Sequence, residues 1–448
     1  MLLGVPGLNK ILMRIVALLA ACAITVSCGS YKSPTVNGHK VSGLKFRAFV
    51  SNPLLPVGGG ANAPVVNIVD ALRDKMSTSL ISLSGSAQPG LMVLSPDMIF
   101  TLIFSPSGNS VVVVDNTTES IASAAGTNVP LSTISLPGFT ESIVVNNFHS
   151  TAFAAVPTTP VAGQSPGTVE VLNLLNGSIS ASIPVPGAHF LVASPDGNRI
   201  LVFSDNSDTV TMISPILVGT HTDPRSYVAG FDRPVWGVFN SSGTAYILNC
   251  GLPCGGKAAG VSVLDVGSST PLSTTPVSAA TYGLLSGTTL YVAGTPSPSP
   301  PGTNTCAGTR TAATTCGKLT LLDVGFMTVK SSATITDGYH DRMQISEDGQ
   351  LFIGSHGCRS FNIPGGEVRG CLSIFNSGTS TVVIPPQQGD VTGIQPITGR
   401  NVVYVCQNGG LSIYDTKTDK LQVTTGNNQS GNGQVDIVGD AVDVKLVD

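Results

Sequence analysis

Residues that could do chemistry recur at one position of a repeated sequence unit in this 448-residue chain. Aligning the copies on a turn glycine places charged side chains at or beside the start of one apolar segment. These residues are Glu141, His189, Asp232, Arg233, His340, Asp341, Arg342 and Asp390, together with Trp236, the only tryptophan. Such a set can bind an anion, a sugar or a cation, or polarise a carbonyl group with acid–base help from His340 or Asp341.

The same residues also fit a purely structural role, because polar side chains where strands begin often cap backbone groups or pair with one another. The sequence has no Gly-x-Ser-x-Gly elbow, no P-loop, no dinucleotide fingerprint after a strand and no His-Glu-x-x-His. Tyr339-His340-Asp341-Arg342 is the densest cluster. We therefore leave the question of an enzyme open and favour a binding site over a catalytic one.

The elements that position these residues are copies of one phrase, "FLVASPDGNRILVFSDNSDTVTMIS", at 190–214. Clear copies lie at 236–266, 342–376 and 392–416. Looser copies lie at 101–121, 143–174 and 282–324, and 45–71 has only the later part of the unit. A spacing of roughly 45 to 60 residues is in the range of propeller-type repeats.

Each part of the phrase has a physical role. Ser-Pro-Asp-Gly (194–197) predicts a tight turn between two strands, with glycine at the positive-φ position. The next run, 200–203, is apolar on consecutive residues, so the strand has to be covered on both faces. A polar loop, a third strand and a weaker fourth strand complete a four-stranded antiparallel unit.

Four-stranded units that repeat around an axis predict an all-β fold, a single β-propeller. We expect eight blades, with seven as the alternative if one weak copy is a decorated loop. A pair of β-sandwiches and an open solenoid are the competing architectures. The first copy lacks its innermost strand and 434–448 has no other place. We therefore expect the C-terminal strand to pair with the first blade and close the ring.

The phrase resembles the YVTN-type repeat of lactonase-like propellers. "SPDGNRILVFSDNSDTVTMI" is similar to that family in its Ser-Pro-Asp-Gly turn, its strand and its small polar loop before the next strand. The resemblance covers most of 45–448. It implies the propeller fold and raises a lactonase-like hydrolase as one possible function. The matching residues are structural, however, and a fold does not by itself imply a function.

The start of the chain predicts export. Lys10 and Arg14 precede an uncharged apolar run, 15–26, and a small residue then precedes Cys28. This pattern is typical of a bacterial lipoprotein signal with lipid attached to Cys28. Lipidation at Cys22 and a plain secretory signal are the alternatives. The apolar run is too short for a comfortable membrane span.

The signal sets the predicted boundaries: 1–27 as signal peptide, 28–44 as lipidated cysteine and flexible linker, and 45–448 as the propeller domain. An oxidising compartment favours disulfides. We predict the pairs Cys250–Cys254, Cys306–Cys316 and Cys358–Cys371, which all fall in the loop between second and third strands, with Cys406 free. Pairing of Cys406 with Cys358 is the alternative. No histidine cluster accompanies these cysteines, so we predict no metal site.

Composition limits the partners. Only 11% of the residues are charged, the net charge is −4, and the basic residues are dispersed, which argues against nucleic-acid binding. We predict no cofactor. The sequence favours a non-catalytic platform in the cell envelope, lipid-anchored at the outer membrane or cell surface, that binds a protein, glycan or small molecule. A lactonase-like hydrolase and a purely structural surface protein are the alternatives.

Overall fold

The computed structural model describes residues 40–57, 59–83, 88–131, 133–146, 150–297, 316–359, 361–362, 368–422 and 433–448. In these ranges the chain is all-β apart from two short 3-10 helices, Pro215–Leu217 and Leu252–Cys254. No helix among these residues has the length and apolar character needed to cross a membrane. The signal peptide, Cys28 and Cys306 lie outside the described residues and stay predictions.

The first half of the chain forms blades 1 to 4. Blade 1 has β1 (Arg47–Val57), β2 (Ala61–Asp70) and β3 (Lys75–Ser82). Blade 2 has β4 (Met92–Leu94), β5 (Phe100–Ser105), β6 (Ser110–Asp115), β7 (Ser120–Ile121) and a short β8 (Ile134–Ser135). Blade 3 has β9 (Ser142–Val145), β10 (Thr151–Val156), β11 (Thr168–Asn173) and β12 (Ser178–Pro184). Blade 4 has β13 (Ala188–Ala193), β14 (Ile200–Ser204), β15 (Thr209–Ile213) and β16 (Arg225–Ala229).

The second half forms blades 5 to 8. Blade 5 has β17 (Pro234–Phe239), β18 (Thr244–Asn249), β19 (Gly260–Asp265) and β20 (Thr270–Pro276). Blade 6 has β21 (Tyr282–Ser286), β22 (Thr289–Gly294), β23 (Gly317–Asp323) and β24 (Thr328–Ile335). Blade 7 has β25 (Tyr339–Ile345), β26 (Gln350–His356), an inserted hairpin of β27 (Phe361–Asn362) and β28 (Val368–Arg369), β29 (Leu372–Asn376) and β30 (Thr381–Val383). Blade 8 has β31 (Val391–Ile397), β32 (Val402–Gln407), β33 (Gly410–Asp415), β34 (Lys420–Leu421) and β35 (Gln434–Val435).

The last strand, β36 (Asp443–Leu446), closes the ring. It pairs antiparallel with β1, with Val50 opposite Val444, and becomes the innermost strand of blade 1. The eight four-stranded blades form a β-propeller, so the predicted fold class, the blade number and the closure by the C-terminal strand are confirmed. The seven-bladed, sandwich and solenoid alternatives are excluded.

Strand β14 shows why the second strands are apolar on consecutive residues. Because side chains alternate across a strand, Ile200 and Val202 pack against Phe153 of blade 3, in one cluster of buried residues. Leu201 and Phe203 point the other way, into the cluster shared with blade 5. Both faces of the sheet are therefore covered by neighbouring blades, as the apolar run requires.

Short polar turns fix the ends of these strands. In blade 4 the Ser194 hydroxyl accepts a hydrogen bond from the Arg199 backbone N–H at 2.9 Å and donates to Asp196 at 2.6 Å. Gly197 takes the left-handed conformation, with φ of 70°. The Ser-Pro-Asp-Gly turn therefore forms as predicted, and the hydroxyl satisfies the backbone donor that directly precedes β14.

A second polar turn, not predicted from the sequence, joins the third and fourth strands. In seven blades an Asp or Asn ends the third strand, and its side-chain oxygen accepts the backbone N–H two residues on, at 2.7 to 3.0 Å. These residues are Asp70, Asp115, Asn173, Asp265, Asp323, Asn376 and Asp415. Blade 4 has Ser214 there, followed by a 3-10 helix. The acidic residues at these turns have a structural role.

A buried ion-pair cluster holds the closing segment to the first two blades. Arg47, which is 1% exposed, donates from Nη1 to Glu119 Oε1 of blade 2 at 2.8 Å. It also donates from Nε and Nη2 to the two carboxylate oxygens of Asp448 at 2.7 and 2.8 Å. One guanidinium thus joins blade 1, blade 2 and the C-terminal residue with well-aligned, charge-assisted bonds.

Two predicted disulfides are present, Cys250–Cys254 and Cys358–Cys371, and Cys406 is free and buried. The alternative pairing of Cys406 with Cys358 is therefore excluded. Since Cys306 lies outside the described residues, the third pair stays a prediction. Both bridges lie in loops between second and third strands, on the face where the innermost strands begin.

Replacing Arg47 with Met tests the ring closure. The substitution leaves the Glu119 carboxylate buried without its cation, so we expect a loss of about 3–5 kcal/mol in the free energy of unfolding. Urea unfolding of residues 29–448 measures it. Arg73→Met is the control, because Arg73 is 71% exposed and pairs with Asp70 at the surface. Equal losses in the two variants would contradict the closing role of Arg47.

Candidate functional site

Three of the predicted site residues, Glu141, His189 and Arg233, come together at one end of the central channel. We call this side the loop face: it carries the blade-to-blade connections, such as 230–233, and the loops between second and third strands, such as 205–208. A cleft of about 430 Å³ opens there, which we call the mouth cleft. Side chains from blades 3, 4, 5 and 7 line it, among them Glu141, His189, Asp205, Arg233, Tyr339 and His356.

A local irregularity of the inner strands aims residues at this cleft. Four of these strands, β13, β17, β25 and β31, pair with their neighbours out of regular register at their second or third residue. The skipped residues are His189, Val235, Asp341 and Thr392. A bulge of this kind re-aims the extra side chain and is common beside functional sites. Glu141 directly precedes β9, at the equivalent place in blade 3.

His189 is the centre of the mouth cleft. Its Nε2 lies 2.8 Å from Glu141 Oε2 and its Nδ1 lies 2.7 Å from Asp205 Oδ1. Burial lowers the pKa of His189, but the hydrogen bonds with Asp205 and Glu141 outweigh it and raise the pKa to about 9. The imidazole is therefore a cation at neutral pH. The hydrogen bond with His189 in turn lowers the pKa of Glu141, so Glu141 and His189 are both charged at neutral pH.

A second histidine–carboxylate pair lies on blade 7. His356 Nδ1 is 3.5 Å from Asp341 Oδ2, and its ring centroid is 5.1 Å from that of Tyr339. The Asp341 carboxylate raises the pKa of His356. Asp341 Oδ2 also pairs with Arg342 Nη1 at 3.1 Å, while Oδ1 is buried and has no hydrogen-bond partner among the described residues. Asp341 thus keeps one buried acceptor oxygen without a donor beside the channel.

His340 does not lie where the acid–base role considered for it would require. Its side chain is 1% exposed, and Nε2 lies 2.9 Å from the Thr336 carbonyl oxygen. Complete burial lowers the pKa of His340 to about 4, so the ring is neutral. The neighbouring bulge turns Asp341 into the channel, whereas His340 packs inside the blade. The geometry therefore favours His189 and His356 as the histidines that a ligand would meet.

The remaining predicted charges divide between the cleft and the loops. Arg233 lines the mouth cleft, with Nε 3.7 Å from Asp208 Oδ1. Asp232 accepts backbone N–H bonds from Lys257 and Ala258, at 2.9 and 2.7 Å, and so fixes the loop around Cys254. These contacts give Asp232 a structural role in the rim of the cleft.

Asp390 lies beside the Cys358–Cys371 bridge and accepts the Gly357 N–H at 2.9 Å. Its carboxylate and the two sulfur atoms come within 4.8 Å of one another, a spacing that could suit a metal ion. Metal binding by cysteine requires thiolates, and here the two sulfurs are bonded to each other. These three residues therefore do not form a metal site in the oxidised protein.

Below the mouth the channel wall is aromatic. Trp236 stacks on Tyr282 with ring centroids 4.5 Å apart, and its Nε1 donates to the Gly283 carbonyl oxygen at 3.2 Å. Phe190 contacts Trp236 edge-on at 6.0 Å. With Tyr339 and Arg342 these rings line a space of about 300 Å³ inside the channel. A ligand at the mouth would therefore meet charge at the rim and aromatic faces below.

Two cleft residues, Asp205 and His356, were missed by the sequence reasoning. Both end or directly follow a second strand, in "FSDNSD" and "GSHG". Antiparallel pairing brings the end of each second strand opposite the start of the innermost one: Ala188 pairs with Ser204 and Tyr339 with His356. The residues opposite the aligned starts of the innermost strands could therefore have been added to the predicted site. This cross-strand pairing is the signal that would have found Asp205 and His356.

No family model and no curated protein matches the chain. Solved structures do resemble it. The dihydro-haem d1 dehydrogenase NirN, in complex with DHE, is 12% identical, with a TM-score of 0.58 over 93% of this chain and 82% of that chain. The hydrazine synthase of Kuenenia stuttgartiensis is 14% identical, with a TM-score of 0.53 over 74% of this chain and 97% of that chain. At these identities the likeness shows a shared propeller fold, and the YVTN resemblance remains an expectation.

The raised pKa of His189 predicts a specific pH dependence of stability. Since its folded pKa is about 9 and the ordinary value is 6.5, its stabilising contribution is complete below pH 6.5 and is lost as pH rises through 9. Unfolding free energies of His189→Gln should therefore decline less over this window than those of the unmodified protein, in which His356 also has a raised pKa. His221→Gln, at an exposed histidine on the opposite face, should keep that decline. An NMR titration that gives His189 an ordinary pKa would contradict the account.

Proposed function

We propose that this protein is an exported, lipid-anchored β-propeller that acts as a non-catalytic binding platform, with the mouth cleft as its ligand site. The convergence of charged side chains from four blades on one open cleft carries the proposal. Desolvating these charged side chains costs free energy, and a ligand that bonds to them would recover part of that cost.

The ligand chemistry follows from the groups that remain available. The side chains of Glu141 and Asp205 are 50% and 52% exposed, and each carboxylate has lone pairs that His189 does not use. Aromatic rings lie below them in the channel. We therefore expect a small ligand with hydrogen-bond donors on one side and an apolar face on the other.

Binding is favoured over catalysis because the best-placed histidine is a poor base. His189 is held as a cation by two carboxylates, and His340 is buried and bonded to a backbone carbonyl. A lactonase-like hydrolase would have to use His356 and Asp341 instead, and the raised pKa of His356 reduces its capacity to accept a proton near neutral pH. A purely structural role would not require charged side chains from four blades around one open cleft.

The proposed location rests on two observations. The chain starts with a basic, apolar and small-residue pattern that ends in Cys28. Two disulfides are present in loops of the loop face, and disulfides persist in oxidising compartments outside the cytosol. A lipid on Cys28 would anchor the propeller through the short segment 29–44.

A thermal-shift screen of residues 29–448 tests the proposal. The screen compares sugars, lactones, organic acids and metal ions. A ligand that binds only the folded state raises Tm by mass action, by on the order of a few degrees at saturating concentration. We expect His189→Gln and Asp205→Asn to abolish the shift.

Asp223→Asn is the matched control, because Asp223 is 54% exposed on the opposite face and pairs with Arg225. This variant should keep the full shift. A shift that persists in both cleft variants would place the ligand elsewhere, and no shift across the whole screen would contradict a small-molecule site. Turnover of a bound lactone would show that the protein is a lactonase-like hydrolase and not a non-catalytic binding platform.

A further inference from the structure

A second concave site lies on the loop face, where blade 8 meets blade 1. It is a groove of about 520 Å³ that shares no lining residue with the mouth cleft. We call it the amide groove, because amide side chains dominate its lining. Its lining includes Leu54, Gln387, Gln407, Asn408, Gly409 and Asp440.

Gln407 gives the groove an unsatisfied polar atom. The side chain is 5% exposed, and Nε2 donates to the carbonyl oxygens of Gln387 and Gly389, at 3.1 and 3.0 Å. Both hydrogens of the amide are thus used, which fixes its orientation and leaves Oε1 as an acceptor. Oε1 has no hydrogen-bond partner among the described residues. A buried acceptor left without a donor costs free energy, so a ligand that brings a donor to Oε1 would be stabilised in the groove.

Asp440 and Asn408 extend the polar set. Asn408 occupies the left-handed region, with φ of 49°, in the hairpin turn between β32 and β33. Gly409 follows it, and a Cβ there would come within 2.7 Å of Asp440 Oδ1, so glycine leaves room for the carboxylate. The backbone N–H groups of Asn408 and Asp440 donate to Asp390 and Asn52, but neither side chain makes a hydrogen bond with the part of the chain that the structure describes.

We propose that the amide groove binds a neutral polyhydroxylated ligand, which in chemical class is a sugar. Gln407 Oε1 and the Asp440 carboxylate require donors, while the amide groups of Asn408 and Gln387 supply donors as well as acceptors. A hydroxyl group donates and accepts, so a row of hydroxyls satisfies both kinds of group. An ammonium ion only donates, and a carboxylate ligand would be repelled by Asp440.

NMR titration of residues 29–448 with glucose, N-acetylglucosamine and galactose, and with short oligomers of each, tests this site. The side-chain amide signals of Gln407 and Asn408 report on the groove directly. At least one of these sugars should give saturable shifts of both signals. An oligomer that binds more tightly than its monomer indicates a glycan chain as the source, and equal binding indicates a free sugar.

Asn408→Gly and Asp440→Asn should each weaken sugar binding about tenfold or more, the equivalent of about 1.4 kcal/mol. Gln407 is left unchanged, because its amide also supports the backbone. Asn109→Gly is the matched control: Asn109 has φ of 44° in the corresponding turn between the second and third strands of blade 2, it does not line the groove, and the variant should bind normally. His189→Gln should also bind normally, which separates the groove from the mouth cleft. The proposal fails if no sugar shifts these signals, if the groove variants bind as well as the control, or if ethylammonium binds in place of sugars.

Discussion

The structure depends on one constraint: sheets that are apolar on both faces have to be covered on both faces. Within the described blades the second strands have buried side chains in both directions, and each needs a neighbour on either side. An open row of blades would leave two apolar faces in water, so the ring has to close. The ring closes where β36 pairs with β1. Arg47 stabilises this closure because it donates hydrogen bonds both to Asp448, after β36, and to Glu119 in the next blade. Without that segment blade 1 would have no innermost strand.

Closure has a direct consequence for function. It brings the starts of inner strands that are far apart in sequence around a single channel, where their side chains meet. Bulges then turn His189 and Asp341 inward, where His189 pairs with Asp205 just after β14 and Asp341 pairs with His356 at the end of β26. The carboxylates determine the charge state of the histidines, because the bonds from Asp205 and Glu141 overcome the effect of burial at His189. The mouth cleft is therefore an ionised network on a rigid frame, an arrangement suited to holding a ligand.

Much of this fold could be predicted because its signals are local. The Ser-Pro-Asp-Gly turn, the doubly apolar run at 200–203 and the incomplete first copy together gave the propeller, its eight blades and its closure. The alignment column correctly brought Glu141 and His189 together. The burial of His340 could not be predicted, because a single bulge decides which of two adjacent residues faces the channel. Asp205 and His356 enter the site through cross-strand pairing, which a column of equivalent positions does not contain. Asp265 and its equivalents accept backbone N–H groups in turns, so some of the acidic residues of the chain have a structural role.

Hydrogen–deuterium exchange with and without the ligand that stabilises the protein most tests the central claim directly. If the mouth cleft is the binding site, protection should appear together at segments of different blades, 141–145, 187–190 and 339–342. Turns on the opposite face, such as 194–199, should exchange as before. These segments are adjacent only in the closed ring, so their joint protection would support the closure and the site at once. Protection limited to one blade, or to the opposite face, would contradict a ligand site at the channel mouth.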